Sequence, residues 1–227
     1  MKEATGTSTV TLGLAPSGVS LLTGALATFR ASHPDAEVRI VGGPFGALKR
    51  ALREGKIDIG VALLPADQRN PSLKSRPLFR AEPVIVGRRG HPLAKATSLD
   101  DLALATWAAP WNAEEGPSFG QSGTIRELFS LNHLPFPRSF VRCNEPVALL
   151  TLLMQTDAIG VLDRWQLERG PAAGLLQPFK LRARLPSFTV YAFHRADAPQ
   201  APAAMAMVAA FRNEAKKLMA SGRRRTG

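Results

Sequence analysis

Residues 52–63 read LREGKIDIGVAL, and this stretch joins the end of a helix to a buried strand. Leu48 and Leu52 lie one turn apart on the apolar face of a short helix. The helix is predicted to end at Gly55, because glycine readily adopts the left-handed conformation that closes a helix. The apolar run Ile57–Leu63 then predicts a strand. A helix followed closely by a buried strand is typical of an α/β fold.

The same alternation of strands and helices precedes this stretch. Val10–Ala15 is a short apolar run that predicts a strand, and it leads into the turn Pro16-Ser17-Gly18. Three apolar residues after the turn have the spacing of a helix face: Leu22, Leu26 and Phe29. Val38–Val41 predicts the next strand. Because strands that alternate with helices pair in parallel, we predict a doubly wound sheet in this part of the chain.

A second succession of strands and helices begins after this module. Its predicted elements are, in order, Pro83–Val86, Asp100–Leu104, Thr106–Ala109, Thr124–Leu131, Phe140–Cys143, Glu145–Gln155 and Ala158–Leu162. The chain then returns through a predicted strand at Thr189–Phe193 to a final helix at Ala203–Met219. One apolar stripe runs along that helix, formed by Ala204, Val208, Phe211, Ala215 and Leu218. The sequence therefore predicts two α/β modules.

The chain is predicted to divide into two subdomains with flexible ends. Subdomain I comprises residues 8–80 and 188–219, and subdomain II comprises residues 81–187. The remaining residues, 1–7 and 220–227, are predicted to be flexible. Two α/β subdomains joined by extended crossings favour a cleft, so we expect a ligand to bind in a cleft between them.

The composition is that of a folded globular protein, with 45% hydrophobic and 21% charged residues among 227, which excludes disordered and fibrous classes. The formal net charge of +11 attracts anions but identifies no partner. The single cysteine, Cys143, cannot form an internal disulfide, in agreement with a reducing cytosol. Met1–Ser8 does not read as an export signal, and no apolar run approaches the roughly 20 residues that cross a bilayer. We therefore expect a cytoplasmic protein without a membrane partner.

The sequence shows no pattern typical of an active site, a metal site or a nucleotide site. Residues 116–120 (GPSFG) match G-x-S-x-G, but no strand is predicted just before Ser118, so the match is interpreted as accidental. The histidines lie near turns or strand ends and are not spaced as metal ligands: His33, His91, His133 and His194. Gly42-Gly43-Pro44 lacks the spacing of a phosphate-binding loop. We expect no catalytic residue, no metal and no cofactor.

The turn after the first strand is a candidate anion site. Ser17 and Gly18 stand where the strand gives way to a helix. The free amides of that helix start and the Ser17 hydroxyl can hold a carboxylate, a sulfonate or a phosphate. The alternative is that Ser17 only caps the helix.

A second helix start lies at Glu145 and Pro146, where proline suits the first helical turn. If the subdomains face each other, the two helix starts can share one ligand. Phe45, Pro110 and Trp111 then supply apolar walls, or else belong to ordinary packing. Glu145 repels an anion unless its side chain serves as the cap, so a neutral or sugar-like ligand stays open.

Four segments together resemble a known family: Val10–Gly18 (VTLGLAPSG), 52–60 (LREGKIDIG), 89–94 (RGHPLA) and 158–161 (AIGV). In this order, over roughly residues 8–219, they resemble the effector-binding domain of LysR-type transcriptional regulators. The resemblance implies a periplasmic-binding-protein-like fold of type 2. In that fold, two doubly wound α/β subdomains are joined by two crossing strands.

The resemblance also implies a function without catalysis. A small inducer, such as an organic acid, an aromatic sulfonate or a sugar-like molecule, binds in the cleft and shifts the population of promoter-bound states. The implied partners are further copies of the effector domain, in a homodimer or tetramer. Promoter DNA is bound only through an N-terminal winged helix-turn-helix that is absent from this chain. Two alternatives stay open: an exported solute-binding protein of a transport system, and an enzyme of the same architecture.

Carried over by position from the family, the ligand-binding residues are Ser17, Gly18, Pro44, Phe45, Leu64, Pro110, Trp111, Glu145 and Pro146. Two places depart from the family pattern. Asp157 stands where family sequences commonly have glycine, and Asp163-Arg164 stand where a proline is common. These departures affect the expected shape of the ligand wall in the second subdomain.

Overall fold

The computed structural model describes residues 8–64, 71–110 and 121–223, which form a mixed α/β protein. The strands described are β1 (Thr9–Leu14), β2 (Glu37–Gly42), β3 (Ile59–Leu63), β4 (Leu73–Ala81), β5 (Pro83–Arg88), β6 (Trp107–Pro110), β7 (Phe140–Cys143), β8 (Gly160–Asp163), β9 (Leu176–Pro178) and β10 (Phe188–Arg195). The helices described are α1 (Val19–Ser32), α2 (Phe45–Arg53), α3 (Gln121–Leu131), α4 (Pro146–Gln155), α5 (Arg164–Arg169) and α6 (Pro202–Arg223). Single turns of 3-10 helix occur at Pro16–Gly18 and Asp100–Leu102, so the helix expected at Asp100–Leu104 is only one turn long.

The chain divides into two compact units. Unit 1 consists of Met1–Arg80 and Thr189–Gly227, and unit 2 consists of Ala81–Phe188. The chain passes from one unit to the other twice. The first passage is at the end of β4 and the second is at the start of β10.

Unit 1 contains a five-stranded sheet with the order β2-β1-β3-β10-β4. Strand β1 runs parallel to both β2 and β3, as the alternation of strands and helices predicts. Strand β10 pairs antiparallel with β3, because it enters the sheet on the return of the chain and not through a helical crossover. The parallel strands β1, β2 and β3 therefore end at the same edge of the sheet.

Helix α1 buries Leu21, Ala25 and Phe29. The predicted face of Leu22, Leu26 and Phe29 is wrong by one position for its first two members, which are half-buried. Helix α1 also packs against α6.

The predicted stripe of α6 is confirmed, since all five of its members are buried. The helix continues to Arg223, however, four residues beyond the predicted end at Met219. Helix ends predicted from an apolar stripe stop at the last apolar residue, whereas the polar last turn of α6 is held by its own backbone hydrogen bonds.

Strand β4 was not expected from the sequence. It contains Pro77 and the exposed cations Lys74, Arg76 and Arg80, and only its last part is buried. The sheet order places β4 at an edge. An edge strand tolerates proline and charged residues because one side of it has no hydrogen-bonding neighbour. Strand β4 therefore lacks the pattern of apolar residues from which a strand is predicted.

Unit 2 repeats much of this arrangement. Strand β6 is parallel to β7, and an isolated parallel bridge between Trp107 and Ile159 joins β6 to the residue before β8. Strand β5 pairs antiparallel with both β8 and β9. Neighbouring strands therefore follow the succession β7-β6-β8-β5-β9, and the first four have the same relative directions as β2-β1-β3-β10 in unit 1. Parallel pairing, which was predicted for strands that alternate with helices, holds for the strands that helical crossovers connect.

The tripeptide Ile-Gly-Val occurs in the corresponding strands of both units, around Gly60 and Gly160. A Cβ atom on Gly60 would lie 2.2 Å from the Phe193 ring, and one on Gly160 would lie 2.9 Å from Leu153. Glycine is needed in these strands because a neighbouring side chain crosses directly over the backbone.

His91 holds a turn of unit 2 together from a buried position, with only 4% of its surface exposed. Its Nδ1 accepts the Leu93 N–H at 3.0 Å, so Nε2 carries the proton and donates to the Asp157 carbonyl at 3.1 Å. The ring also packs edge-on against Phe179. The HPLA segment is thus a structural turn, and its histidine is more buried than a turn position suggests.

Candidate functional site

The predicted ligand residues of unit 1 follow the carboxyl ends of its three parallel strands. Ser17 and Gly18 follow β1, Pro44 and Phe45 follow β2, and Leu64 follows β3. Backbone hydrogen bonds fix these strand ends to one another, from Ala15 N–H to Val61 O at 2.9 Å and from Gly43 N–H to Leu14 O at 3.3 Å. The edge beyond the carboxyl ends of parallel strands is the usual ligand position in open α/β sheets.

Ser17 does not cap α1. The N-cap residue is Gly18, and within the described structure no side chain makes a capping hydrogen bond there. Ser17 is 6% exposed, and its buried Oγ has no hydrogen-bond partner among the described residues. A buried polar group left without a partner costs about 1–3 kcal/mol, so such groups normally have one. The capping alternative is therefore wrong, and the Ser17 hydroxyl is a buried donor without a partner among the described residues.

Ser20, one helical turn after Ser17, has the same property. Its Oγ is buried and lacks a hydrogen-bond partner within the described chain. Ser20 is not among the residues that the sequence predicted to bind the ligand. The spacing of Ser17 and Ser20, three positions apart at a helix start, is the signal that could have identified it.

Gly18 brings the start of α1 close to the sheet. A Cβ atom at this position would lie 2.6 Å from Val61 Cγ1 and 2.9 Å from Leu14 Cδ1. Because glycine has no Cβ, the start of α1 can lie directly against Leu14 of β1 and Val61 of β3. A larger residue at position 18, next to Ser17, would clash with both side chains.

The other predicted residues of unit 1 differ in their surroundings. Phe45 is buried and packs edge-on against Phe193, with ring centroids 5.4 Å apart, so its contacts are those of ordinary core packing. Pro44 is the N-cap residue of α2 and is half-buried. Leu64 is also half-buried, immediately after β3. Pro44 and Leu64 remain candidates for an apolar wall.

The predicted residues of unit 2 lie at the ends of the parallel pair β6 and β7. Pro110 ends β6, and the strand register pairs it with Cys143 at the end of β7. Glu145 is the N-cap of α4, and its Oε2 accepts the Ala148 N–H at 2.5 Å. The Cys143 thiol donates to the Glu145 carbonyl at 3.3 Å. The structure thus gives Glu145 the capping role that the sequence analysis held open.

Two further sequence predictions concern residues outside the described ranges. Trp111, a predicted apolar wall, lies there, and so does the G-x-S-x-G match at residues 116–120.

Asp163 forms a buried polar junction at the end of β8. Its Oδ1 accepts the Trp165 N–H at 2.9 Å and so caps α5, while its Oδ2 accepts the Glu82 N–H at 2.8 Å. Gln166 completes a capping box by accepting the Asp163 N–H. Burial raises the pKa of Asp163 to about 6, although the hydrogen bonds that its carboxylate accepts act in the opposite direction. Where the family commonly has proline, this chain has a helix cap.

Asp157, the other departure from the family pattern, pairs with Arg88. The Arg88 Nη2 and Nε atoms lie 2.7 and 2.8 Å from Asp157 Oδ1. Asp157 thus makes two interactions, the ion pair with Arg88 and, through its carbonyl, the hydrogen bond from His91. Both connect the segment before β8 with the end of β5 and the turn that follows it. The residue has a structural role.

Within the described ranges, no group of three or more His, Cys, Asp and Glu residues is arranged to hold a metal ion. In the same part of the chain, no helix is both long and apolar enough to span a membrane.

Comparison with solved structures defines the class of fold. The effector-binding domain of a BenM variant aligns with a TM-score of 0.72 and 20% identity, over 92% of this chain and 95% of that chain. The effector-binding domain of QuiR in complex with shikimate aligns with a TM-score of 0.73 and 19% identity, over 93% of this chain and 99% of that chain. These matches confirm the predicted periplasmic-binding-protein-like fold of type 2.

Comparison of sequences defines the family. Residues 4–216 match the family model described as the LysR substrate binding domain. The chain belongs to this family. The HTH-type transcriptional regulator GalR of Pseudomonas putida is 28% identical over 205 residues, which are 89% of this chain and 50% of that protein. TdcA of Escherichia coli is 21% identical over 145 residues, which are 64% of this chain and 45% of that protein.

The chain therefore spans about half the length of the curated relatives that it matches. Those relatives are named transcriptional regulators, and the family is one of regulators and not of enzymes. The match favours an effector-binding domain over the exported solute-binding protein that the sequence analysis kept as an alternative.

Proposed function

We propose that this chain senses a small organic acid for a LysR-type transcriptional regulator, and that the acid binds at the N-terminus of α1. The observation that carries the proposal is the Ser17 hydroxyl, which is buried and unpartnered among the described residues at the carboxyl ends of parallel strands. A ligand oxygen that accepts from this hydroxyl removes the cost of leaving it unpaired.

An acidic group suits this position better than a neutral one. The N-terminus of a helix carries a partial positive charge, and residues 19–22 of α1 contain no Asp or Glu that would neutralise it. The net charge of +11 adds a long-range attraction for anions. We therefore favour a carboxylate or a sulfonate over a sugar-like ligand, which gains nothing from either charge.

The similar structures support this class of ligand. One is described as the BenM effector-binding domain with its effector benzoate, and another as that of QuiR in complex with shikimate. Benzoate and shikimate each carry a single carboxylate. We propose that the effector of this chain also carries a carboxylate, and we do not identify it with either compound.

The acid acts as a signal and is not transformed. Its binding stabilises one arrangement of the effector domain, and the difference in affinity between arrangements changes how the whole regulator occupies promoter DNA. DNA binding belongs to the part of the regulator outside this chain, and the regulator works in the cytoplasm, where promoter DNA lies.

The effector domains associate as a homodimer through the edge strand β2. In this strand Ile40 is 46% exposed and Val41 is 40% exposed. The opposite edge of the same sheet, β4, is instead protected by Lys74, Arg76 and Pro77. Exposed apolar residues on an edge strand favour pairing with another chain, although β2 also carries the exposed ion pair of Arg39 with Glu37. A second copy of the chain is the partner expected in a symmetric assembly.

A ligand screen tests the proposal. The purified chain is heated with benzoate, shikimate, benzenesulfonate or glucose, and the affinity of any stabilising compound is measured by calorimetry. We expect at least one acid, and not glucose, to raise the melting temperature, because a ligand that binds the native state stabilises it. Ser17→Ala should weaken the binding of that acid by about 10- to 100-fold, the value of a hydrogen bond to a charged group.

Ser32→Ala is the matched control, since Ser32 lies at the other end of α1 and its hydroxyl bonds only within that helix end. It should leave the affinity unchanged. The proposal is wrong if Ser17→Ala binds the acid with wild-type affinity, or if glucose alone stabilises the chain.

A further inference from the structure

We infer that Ser20 is a second ligand-binding residue of unit 1, and that the hydroxyls of Ser17 and Ser20 each donate a hydrogen bond to one of two oxygens of a single acidic group. This inference rests on the proposed function and deepens it. It requires an effector whose acidic group is free, with both oxygens available, and so excludes the corresponding amides.

Two hydroxyl oxygens differ from the other buried polar side-chain atoms of the described chain. Ser17 Oγ and Ser20 Oγ are buried and lack a hydrogen-bond partner, and across residues 8–64, 71–110 and 121–223 they are the two buried side-chain atoms with this property. Buried polar groups are normally satisfied, so each exception needs an explanation. Because both exceptions lie within three positions of each other, one ligand group explains both.

The Ser20 hydroxyl does not use the partner that hydroxyl groups in helices commonly find. Serine and threonine can donate to the backbone carbonyl one turn back. Thr28, in the same helix, donates to the Gly24 carbonyl at 3.0 Å, and Thr151 of α4 donates to the Val147 carbonyl at 2.8 Å. Ser20 makes no such bond with its side chain, so its hydroxyl hydrogen remains unused within the described structure.

The backbone places the two serines on one side of the same helix start. Ser17 belongs to the 3-10 turn Pro16–Gly18, which leads directly into α1, and both Gly18 and Val19 have right-handed helical backbone angles. Residues three positions apart on a helix are neighbours on its surface, with Cβ atoms about 5–6 Å apart. One small group of a ligand can therefore contact both hydroxyls, and no residue of unit 2 is needed for this contact.

A carboxylate matches two hydroxyl donors. Each serine hydroxyl offers one hydrogen, and the two oxygens of an ionised carboxylate only accept. A carboxamide has one carbonyl oxygen and an NH2 group in place of the second oxygen, so one of the two hydroxyl hydrogens stays unpaired. Charge adds to this preference, since hydrogen bonds to an ionised acceptor are stronger and the first turn of α1 contains no acidic side chain.

Acids paired with their own amides test the inference, because the members of a pair differ in charge and in one acceptor oxygen. The pairs are benzoate and benzamide, shikimate and shikimamide, and benzenesulfonate and benzenesulfonamide. Calorimetry measures their affinities for the wild-type chain, Ser17→Ala, Ser20→Ala and Ser32→Ala. Ser32→Ala is the matched control, because the Ser32 hydroxyl lies at the other end of α1 and donates to the Phe29 carbonyl.

We expect an acid that binds the wild-type chain to bind at least about tenfold more tightly than its amide. Ser20→Ala should weaken the binding of that acid by about 10- to 100-fold, the value of a hydrogen bond to a charged group, and should weaken the binding of the amide by less. Ser32→Ala should change neither affinity. Without ligand, Ser20→Ala should not lower the melting temperature, because the hydroxyl bonds to no described residue.

The inference is overturned if Ser20→Ala binds the acid with wild-type affinity, if it weakens acid and amide equally, or if it lowers the melting temperature of the unliganded chain. When Ser17→Ala weakens binding of the acid and Ser20→Ala does not, the inference fails and the proposed function stands. When Ser17→Ala has no effect, or when none of the three acids binds, both fail.

Discussion

The carboxylate of Asp163 accepts the backbone N–H of Glu82 at 2.8 Å, and so ties the end of β8 to the point where the chain enters unit 2. Arg164 strengthens this junction, since its N–H donates to the Glu82 carbonyl at 2.8 Å and its Nε lies 2.9 Å from Glu82 Oε2. Asp163 also caps α5. The buried side chain of Asp163 therefore connects the end of β8, the start of α5 and Glu82, which lies between β4 and β5.

The free energy of unfolding should depend on pH through the titration of the Asp163 carboxyl group. Burial raises the pKa of Asp163 from 3.8 to about 6, so between these values the folded state binds more protons than the unfolded state. The contribution of this group is therefore most favourable below about pH 4 and is lost as the pH rises through 6. It amounts to at most about 3 kcal/mol.

Urea unfolding at pH 5, 6 and 7 measures this contribution. The free energy of unfolding of the wild type relative to Asp163→Asn should rise as the pH falls from 7 to 5, because asparagine does not titrate. A difference between the two proteins that is constant over this range would contradict the assigned pKa. Other carboxyl groups titrate equally in both proteins and cancel in the comparison.

Replacing Ser17 should not destabilise the unliganded chain. The wild-type hydroxyl is buried without a hydrogen bond to any described residue, so Ser17→Ala removes an unfavourable group. We expect the free energy of unfolding to stay constant or rise by about 1 kcal/mol in thermal or urea unfolding. A loss of more than about 1 kcal/mol would indicate a structural hydrogen bond and would weaken the case for a ligand.

His91→Ala should cost about 2–4 kcal/mol, because it removes a buried side chain and both of its hydrogen bonds. Asp157→Asn tests the neighbouring ion pair, whose partners are partly exposed, and should cost about 1 kcal/mol or less. Urea unfolding at pH 7 compares the two variants. Equal losses would show that the ion pair contributes as much to stability as the buried histidine.

Gly60→Ala should destabilise unit 1 by about 1–3 kcal/mol, because its Cβ would clash with the Phe193 ring at 2.2 Å. Gly43→Ala is the control. Its Cβ would meet only ordinary contacts, the nearest at 3.6 Å from Ala47, so unfolding should change by less than about 0.5 kcal/mol. Similar effects of the two substitutions would show that the strand adjusts to the added methyl group.

Charge on the β2 edge should prevent dimerisation. Ile40→Lys places a cation on the strand that we propose as the interface, and sedimentation over a range of concentrations should show a monomer. Leu175→Lys makes the same change at an exposed position of unit 2 and should leave the dimer intact. A dimer that survives Ile40→Lys would place the interface elsewhere.

Local patterns predicted much of the fold. Gly55 has the expected positive φ, 69°, because an L side chain is disfavoured in that conformation wherever the helix is placed. The apolar stripe of α6 is buried as predicted, because helical periodicity is a property of neighbouring residues. Strand β4 was missed because its charges and its proline reflect a position at the edge of a sheet, which no local pattern encodes.

The candidate site was predicted less completely than the fold. Position in the family pointed to Ser17 and Glu145, but their roles depended on hydrogen bonds that residue types alone do not specify. Serine is a common helix cap and glutamate is a less common one, yet here the serine is unpartnered among the described residues and the glutamate caps.

The sequence by itself determined the class of fold, most of the helices and strands, and the family, because each depends on short-range periodicity or on motifs in a fixed order. Only the tertiary structure decided which polar groups are satisfied. The bond from Glu82 to Asp163 joins residues 81 positions apart, and the unpartnered Ser17 hydroxyl is buried next to Gly18, which lies directly against Val61 of β3. Such contacts exist only after distant segments have come together, so no local stretch of the chain could reveal them.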